Sequence, residues 1–459
     1  MVVFAAKYGG DFISATNVDG LLESSGVNLM LRIVGLSAFA SAGMSFVWMA
    51  VIMLLAEVVI WVALITVVFL NIAIAFIFTK KAYNSDFYWY LWPSVVFGLL
   101  ALLISCYACF IHKRIKFAAA HLQVAGHAIF HLPMMLFVAL VMVCIQIGWA
   151  VLWVLGSLGI LFHRNGLKLE RTCMATKCEL IFNSTATLGV LCVILFIYFW
   201  ITCVFRNIIG VTTAGTIAAW MNPINTSCIT MKAWLRALTQ NLGSICLGSL
   251  SVAVLETIVL ILRVVAWLAG HSGNCCLSCL LSCVSSIVSS IESWIEVFNQ
   301  FAYSYVGCYG YSFMTASRRV YQLFKSKGWS AIVNDELMGC MFWLSNFIIG
   351  FVTACVGVQT IGSIYSIRVA IYAYPHGFVA FFCFLVGFSI NYVLMAVVAS
   401  AVTTIFVLWA EDPHIWQLTR PKHYETLHEA WLQNYPDEYN YGYGKQGSVS
   451  ICDCTPCPI

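Results

Sequence analysis

The chain has 459 residues, of which 62% are hydrophobic and 9% charged, and its mean hydropathy is +0.91. That leaves too little polar surface to coat a soluble globule of 51.0 kDa, whereas a surface facing lipid needs no such coat. The net charge of +4 gathers into no long basic stripe, which argues against a nucleic-acid partner, and no Walker A loop, GxSxG elbow or Rossmann fingerprint supports an enzyme.

In chain order, residues 1–31 form a polar N-terminal segment in which no basic region precedes a compact apolar core. No cleavable signal peptide is expected there. Apolar runs follow at 33–55, 58–79, 88–111, 134–158, 187–209, 238–266, 338–360 and 376–409. Each is long enough to cross the roughly 30 Å hydrocarbon core, and only a helix satisfies its own backbone there, so the fold class is an all-α polytopic transmembrane bundle. The first two runs are nearly continuous around Glu57, which predicts a tight helical hairpin. Tyr88, Trp89, Tyr90 and Trp92 read as an interfacial aromatic belt.

The basic cluster from His112 to Lys116 directly follows a span and belongs to the cytoplasm under the positive-inside rule. The loop 159–186 then lies outside, where Cys173 and Cys178 are spaced for a local disulfide and Asn183-Ser184-Thr185 is a glycosylation acceptor. A second triplet at Asn225 would lie inside and be silent. Arg318, Arg319, Lys325 and Lys327 form another internal basic block, so one more crossing is needed between about 272 and 312. The run 376–409 is one tilted helix or a broken pair. These assignments give nine crossings within a membrane domain at 32–410, an external N-terminus and a cytoplasmic C-terminal tail at 411–459.

Several blocks resemble the choline transporter-like family. Val211-Thr212-Thr213-Ala214-Gly215-Thr216-Ile217-Ala218-Ala219-Trp220 is similar to its VTVAGTVATWY block. Arg236-Ala237-Leu238-Thr239 with the Gly243–Leu250 run, the Phe298–Tyr303 run with Tyr309–Phe313, and Ile332–Leu337 follow in the family's order. Lys113-Arg114-Ile115 followed by Pro133 resembles a cytoplasmic segment of that family. Relatives usually open with one further span and a large external loop, and such an absence would account for the odd count. The resemblance implies a plasma-membrane transporter or facilitator for choline or a similar quaternary ammonium, needing no cofactor and no metal. A membrane scaffold in contact with lipid, or a membrane-embedded enzyme of lipid metabolism, are the alternatives.

A quaternary ammonium donates no hydrogen bond, so its site needs ring faces and a carboxylate. The expected cage is Trp200, Trp220, Tyr303, Tyr309 and Tyr311, all beside small residues. Glu256 lies deep in an apolar run, as a cation or proton site or as a structural partner of Arg263. Glu292 and Glu296 share a helical face, lining a pathway if that segment crosses and forming its wet face if it does not. Residues 210–215 are either a broken helix near a substrate or a helix end. The small residues Gly243, Ser244, Gly248, Ser249, Gly350 and Ala354 let helices approach closely and allow a homo-oligomer. Cys275, Cys276, Cys279 and Cys283, and the tail cysteines Cys452, Cys454 and Cys457, lack the second pair of a zinc site. His121, His127 and His131 carry no acidic HExxH partner and are expected to hydrogen-bond locally.

Overall fold

The computed structural model describes residues 25–85, 91–163, 185–221, 228–327, 330–364 and 376–434. Cys173, Cys178, Asn183, Asn225 and the tail cysteines lie outside them. Every regular element among the described residues is a helix: α1 (Ser25–Leu54), α2 (Ala56–Ser85), α3 (Leu91–His131), α4 (Met134–His163), α5 (Thr185–Met221), α6 (Ile229–Thr239), α7 (Leu242–His271), α8 (Cys275–Tyr309), α9 (Phe313–Lys327), α10 (Ser330–Ile364), α11 (His376–Glu411), α12 (Pro413–Thr419) and α13 (Pro421–Asn434). Eight of them are long and apolar enough to cross a bilayer, and the apolar start of α3, Leu91–Cys106, is a shorter apolar stretch. The segment Cys275–Tyr309 is among the eight, as the count of crossings demanded, and 376–411 is one unbroken helix.

Two expectations about local shape are corrected. Helices α1 and α2 meet at Leu55 with the backbone ladder carried across it, Leu55 N to Val51 O at 2.9 Å and Val59 N to Leu55 O at 2.9 Å. They make little contact with each other; α1 packs on α10 and α11 while α2 runs along α3, so the joint is an open elbow and not a tight hairpin. The second concerns the VTTAGT block, where α5 runs unbroken through residues 210–215. Its small residues serve a helix crossing, because a Cβ at Gly307 would lie 2.6 Å from both Ala214 Cβ and the Val211 carbonyl oxygen. Only a glycine lets α8 approach α5 so closely.

The hub is α11, which packs against α1, α3, α4, α5, α8 and α10. Its most apolar stretch is 83% buried, as expected of a helix that is apolar on all sides. Against α10 it uses small residues: a Cβ at Gly350 would meet the Phe384 ring at 2.8 Å, and Gly357 and Gly387 face Cys383 and Thr353. Asn391 donates to Asn346 Oδ1 at 2.7 Å across the same interface. The chain leaves α11 at Asp412, whose carboxylate accepts from His414 N at 2.9 Å while Pro413 opens α12.

Helix α3 continues 25 residues past Cys106, well beyond the apolar run read from sequence. Hydropathy finds what lipid covers, and this extension is covered by protein. Ile115, Phe117, Ala118, Leu122, Ala125 and Ile129 are buried, with Phe117 against Phe406 of α11 and Trp431 of α13. Within this packing His121 Nδ1 lies 2.9 Å from the Phe117 carbonyl and Nε2 accepts from Trp431 Nε1 at 3.4 Å. Burial pushes the His121 imidazole down to about 4, although the Phe117 carbonyl pulls the other way. A second proton on Nε2 would face the Trp431 N–H.

Two predictions follow from this packing. Gly307→Ala should destabilise the purified protein by about 1–3 kcal/mol, the usual cost of overpacking, while Gly148→Ala, where an added Cβ meets nothing within 4 Å, leaves its melting temperature unchanged. His121 has its folded pKa below the unfolded value, so the unfolded chain binds the extra proton. Its neutral form contributes fully above pH 6.5, and about 3 kcal/mol is lost as pH falls from 6.5 towards 4. Melting curves should therefore shift down over that window in the parent and less steeply in His121→Gln; equal slopes would exclude His121 as the sensor.

Candidate functional site

The site is assembled from polar residues that repeat on one face of each helix. On α5 the positions are Cys203, Arg206, Asn207 and Gly210; on α8 they are Glu292, Glu296, Asn299, Gln300 and Tyr303. With α7, α10 and α11 these faces enclose a cavity of ≈ 200 Å³. Its lining includes Arg206, Asn207, Glu296 and Tyr303 from α5 and α8, and Phe342, Trp343, Asn346 and Tyr392 from α10 and α11.

The central contact is an ion pair, Arg206 Nη1 to Glu296 Oε1 at 2.9 Å. The same guanidinium nitrogen donates to the Tyr392 hydroxyl at 3.3 Å, so Arg206 joins α5 to α8 and α11 together. An always-charged guanidinium tolerates the bundle interior only when partners of this kind surround it. One helical position further, Asn207 Nδ2 donates to Ser249 Oγ at 2.8 Å and to the Tyr303 hydroxyl at 3.2 Å. Tyr303 in turn donates to the Ile245 carbonyl at 3.3 Å, and Asn299 Nδ2 to the Gly248 carbonyl at 3.1 Å. The close approach of α7 depends on Gly248, where a Cβ would collide with Phe313 and Tyr303.

Of the six residues expected to bind substrate, Tyr303 lines this cavity. Glu256 lies just outside its lining and accepts from Cys203 Sγ at 3.4 Å. Arg206 Nη2 donates to the same sulfur at 3.9 Å, so Glu256 and the guanidinium share Cys203 as a partner. Trp200 donates from Nε1 to the Cys246 carbonyl at 3.0 Å and stacks beside Phe196. Trp220 is about 30 Å further along the same helix. There Arg420 covers its ring at 4.2 Å and donates to its carbonyl at 3.0 Å. Tyr309 and Tyr311 stack on each other at 5.4 Å where α8 ends at Gly310, whose φ of 70° stops the helix. The structure thus brings Tyr303 and Glu256 towards one centre and sets the other four apart from it.

Glu292 and Glu296 lie on a helix that is long and apolar enough to cross, and Glu296 lines the cavity. Glu57 is exposed in the first turn of α2, beside the elbow. Two of the three histidines bond locally as expected, His121 to the Phe117 carbonyl and His131 Nδ1 to the His127 carbonyl at 2.8 Å, while the His127 ring lies 5.3 Å from that of His423. Cavity residues not singled out by sequence include Arg206, Asn207, Trp343, Asn346 and Tyr392. Arg206 carried a readable signal, a cation within the apolar run 187–209.

Fold and site together define a polytopic helical membrane protein of transporter-like build. The chain belongs to the choline transporter-like family: the family model described as plasma-membrane choline transporter matches residues 95–414. All the cavity-lining residues, from Arg206 to Ser400, fall within that match. The chain is 30% identical over 256 residues to Protein PNS1 of Mycosarcoma maydis, covering 55% of this chain and 48% of that protein. It is 26% identical over 456 residues to Protein PNS1 of Eremothecium gossypii, covering 94% and 75%, and 24% identical over 344 residues to a CTL-like protein of Dictyostelium discoideum, covering 72% and 55%. It therefore spans about half the length of the Mycosarcoma maydis relative.

The polar ties at the cavity are open to direct test. Asn207→Leu removes both donors to Ser249 and Tyr303. Interhelical hydrogen bonds in membrane proteins are worth about 0.6 kcal/mol on average, up to about 1.7, so the expected loss of unfolding free energy is on the order of 1–3 kcal/mol. Denaturation in mixed micelles measures it; a stability equal to the parent would mean that the network carries no weight.

Proposed function

We propose that the protein transports choline or a closely related quaternary ammonium across the plasma membrane, with its C-terminus in the cytoplasm. The observation that carries this reading is the cavity in which a carboxylate, Glu296, faces rings from α8, α10 and α11. A trimethylammonium group gains from ring faces and from negative charge and asks for no acceptor hydrogen bond, which matches Tyr303, Trp343, Tyr392 and Glu296. Asn207, Gln300 and Asn346 offer amides to a hydroxyl at the other end of such a ligand. Glu256 lies beside the ion pair, bonded to Cys203 one turn before Arg206 on α5. An inside-negative potential adds about 2.3 kcal/mol per charge per 100 mV in favour of cation entry, so no chemical energy source is required. The basic cluster at His112–Lys116 and the block Arg318, Arg319 and Lys325, on the exposed side of α9, support the cytoplasmic side for the ends where α12 and α13 sit.

Purified protein in liposomes, given labelled choline and an inside-negative potential, should show saturable uptake. Glu296→Gln should raise the half-saturating choline concentration about tenfold, the worth of one lost charge contact. Trp343→Ala should do the same while leaving the Arg206–Glu296 pair in place, which separates ligand binding from helix pairing. Absence of saturable uptake by folded protein would overturn the proposal and favour a scaffold.

A further inference from the structure

A second cavity, ≈ 450 Å³, lies away from the central one, between the elbow of α1, the protein-covered extension of α3 and α13. Its two halves differ in chemistry. Met53, Leu54, Val124 and Phe130 make one side apolar, and His127, Lys422 and His423 make the other basic. The rings of His127 and His423 stand 5.3 Å apart, and Arg420 and His131 add their charge to the same place. Burial, and then His127, Arg420, His131 and Lys422, lower the pKa of His423. The charged groups acting on it are all basic, and the α13 carboxylates Glu425 and Glu429 do not line the cavity.

The position of this cavity relative to lipid follows from the spans that flank it. Helix α4 begins three residues after His131 and at once presents Met134 and Phe137 outward, 41% and 56% exposed. Helix α2 begins two residues after Leu54 and presents Val58 and Val62, 55% and 53% exposed. The apolar half of the cavity therefore opens where two lipid-facing surfaces start, and the basic half sits on the water side of that level. A ligand that fits both halves carries an anionic group joined to a hydrocarbon chain.

We propose that this groove binds an anionic phospholipid, with the phosphate held by His127, Lys422 and His423 and an acyl chain along Met53, Leu54 and Phe130. Basic pockets at the membrane surface recognise lipid headgroups by this combination of charge and depth. The groove also lies where α13 meets α3, so the lipid would hold the C-terminal helices to the bundle on the side where Arg420 clasps the end of α5. This assignment does not rest on the transported substrate.

The test uses the full chain in detergent, titrated with dioctanoyl phosphatidylglycerol and with dioctanoyl phosphatidylcholine, and bound lipid is counted by native mass spectrometry. Phosphatidylglycerol should bind about tenfold more tightly than phosphatidylcholine, as expected for one or two surface cations acting on one net charge. The double variant His127→Ala/Lys422→Ala, at two exposed positions, should abolish that preference, and Lys422→Arg should keep it. Equal binding of the two lipids, or a preference unchanged in the double variant with its melting curve intact, overturns the site. Saturation by inorganic phosphate at the same concentrations would show a free-anion site and overturn the lipid assignment.

Discussion

A guanidinium inside a lipid-spanning bundle has to be answered by protein, and in this chain Arg206 is answered from two other helices at once. Glu296 on α8 supplies the opposite charge and Tyr392 on α11 a hydroxyl. An arginine at the centre of a lone span is disfavoured by about 2.5–3.5 kcal/mol, so α5 is better placed in the bundle than apart from it. The same requirement fixes rotation as well as proximity, since turning α5 by one residue would take Arg206 out of reach of both partners. The cavity is what remains open between helices whose facing surfaces are held by these ties.

The ties continue beyond the cavity along the seam between α8 and α11. Gln300 donates to Thr403 at 2.9 Å, Thr404 to Ser304 at 3.3 Å, and Tyr305 to Glu411 at 2.5 Å, in that order along both helices. Beyond them Trp409, Trp416 and Tyr424 pack together, and Trp409 and Trp416 are wholly buried. Thr403, Thr404, Ser304 and Tyr305 are buried on this seam, and Glu411 at its end is exposed. The Glu296 side chain, on the other side of Gln300, retains 46% exposure. Exposure along α8 thus rises from the buried Tyr305 back towards Glu296.

How much of this was legible depends on what each residue answers to. Runs of apolar residues report lipid contact, so most of the spans could be read directly, whereas the candidate span at Cys275–Tyr309 was reached through the basic block at Arg318–Lys327. The extension of α3 past Cys106 could not, because Phe117, Leu122 and Ile129 are covered by α11 and α13, elements almost three hundred residues away in sequence. The elbow at Leu55 shows the same limit: a short interruption tells where two helices join but not whether they fold back on each other. Aromatic residues were the weakest guide, since Trp200 and Trp220 flank a family block yet one answers a carbonyl of α7 and the other an arginine beyond α12. Charged residues within apolar runs were the strongest, because hydrocarbon leaves them no neutral place to sit.

The glycines connect these two levels. Gly307 stands one turn beyond Tyr303 on α8 and meets the VTTAGT block of α5 so closely that any side chain would strike backbone. Because α5 and α8 touch there without side chains between them, their separation at Arg206 and Glu296, about two turns away on α5 and three on α8, is set by rigid backbone contact and not by compressible packing. Gly248 lets α7 close on the rings of Phe313 and Tyr303. A cavity framed this way keeps its width when side chains rearrange and changes it when the helices pivot about the glycine contacts. The block that carries the family resemblance therefore acts on the site through the spacing of its walls, at a distance from the residues that line it.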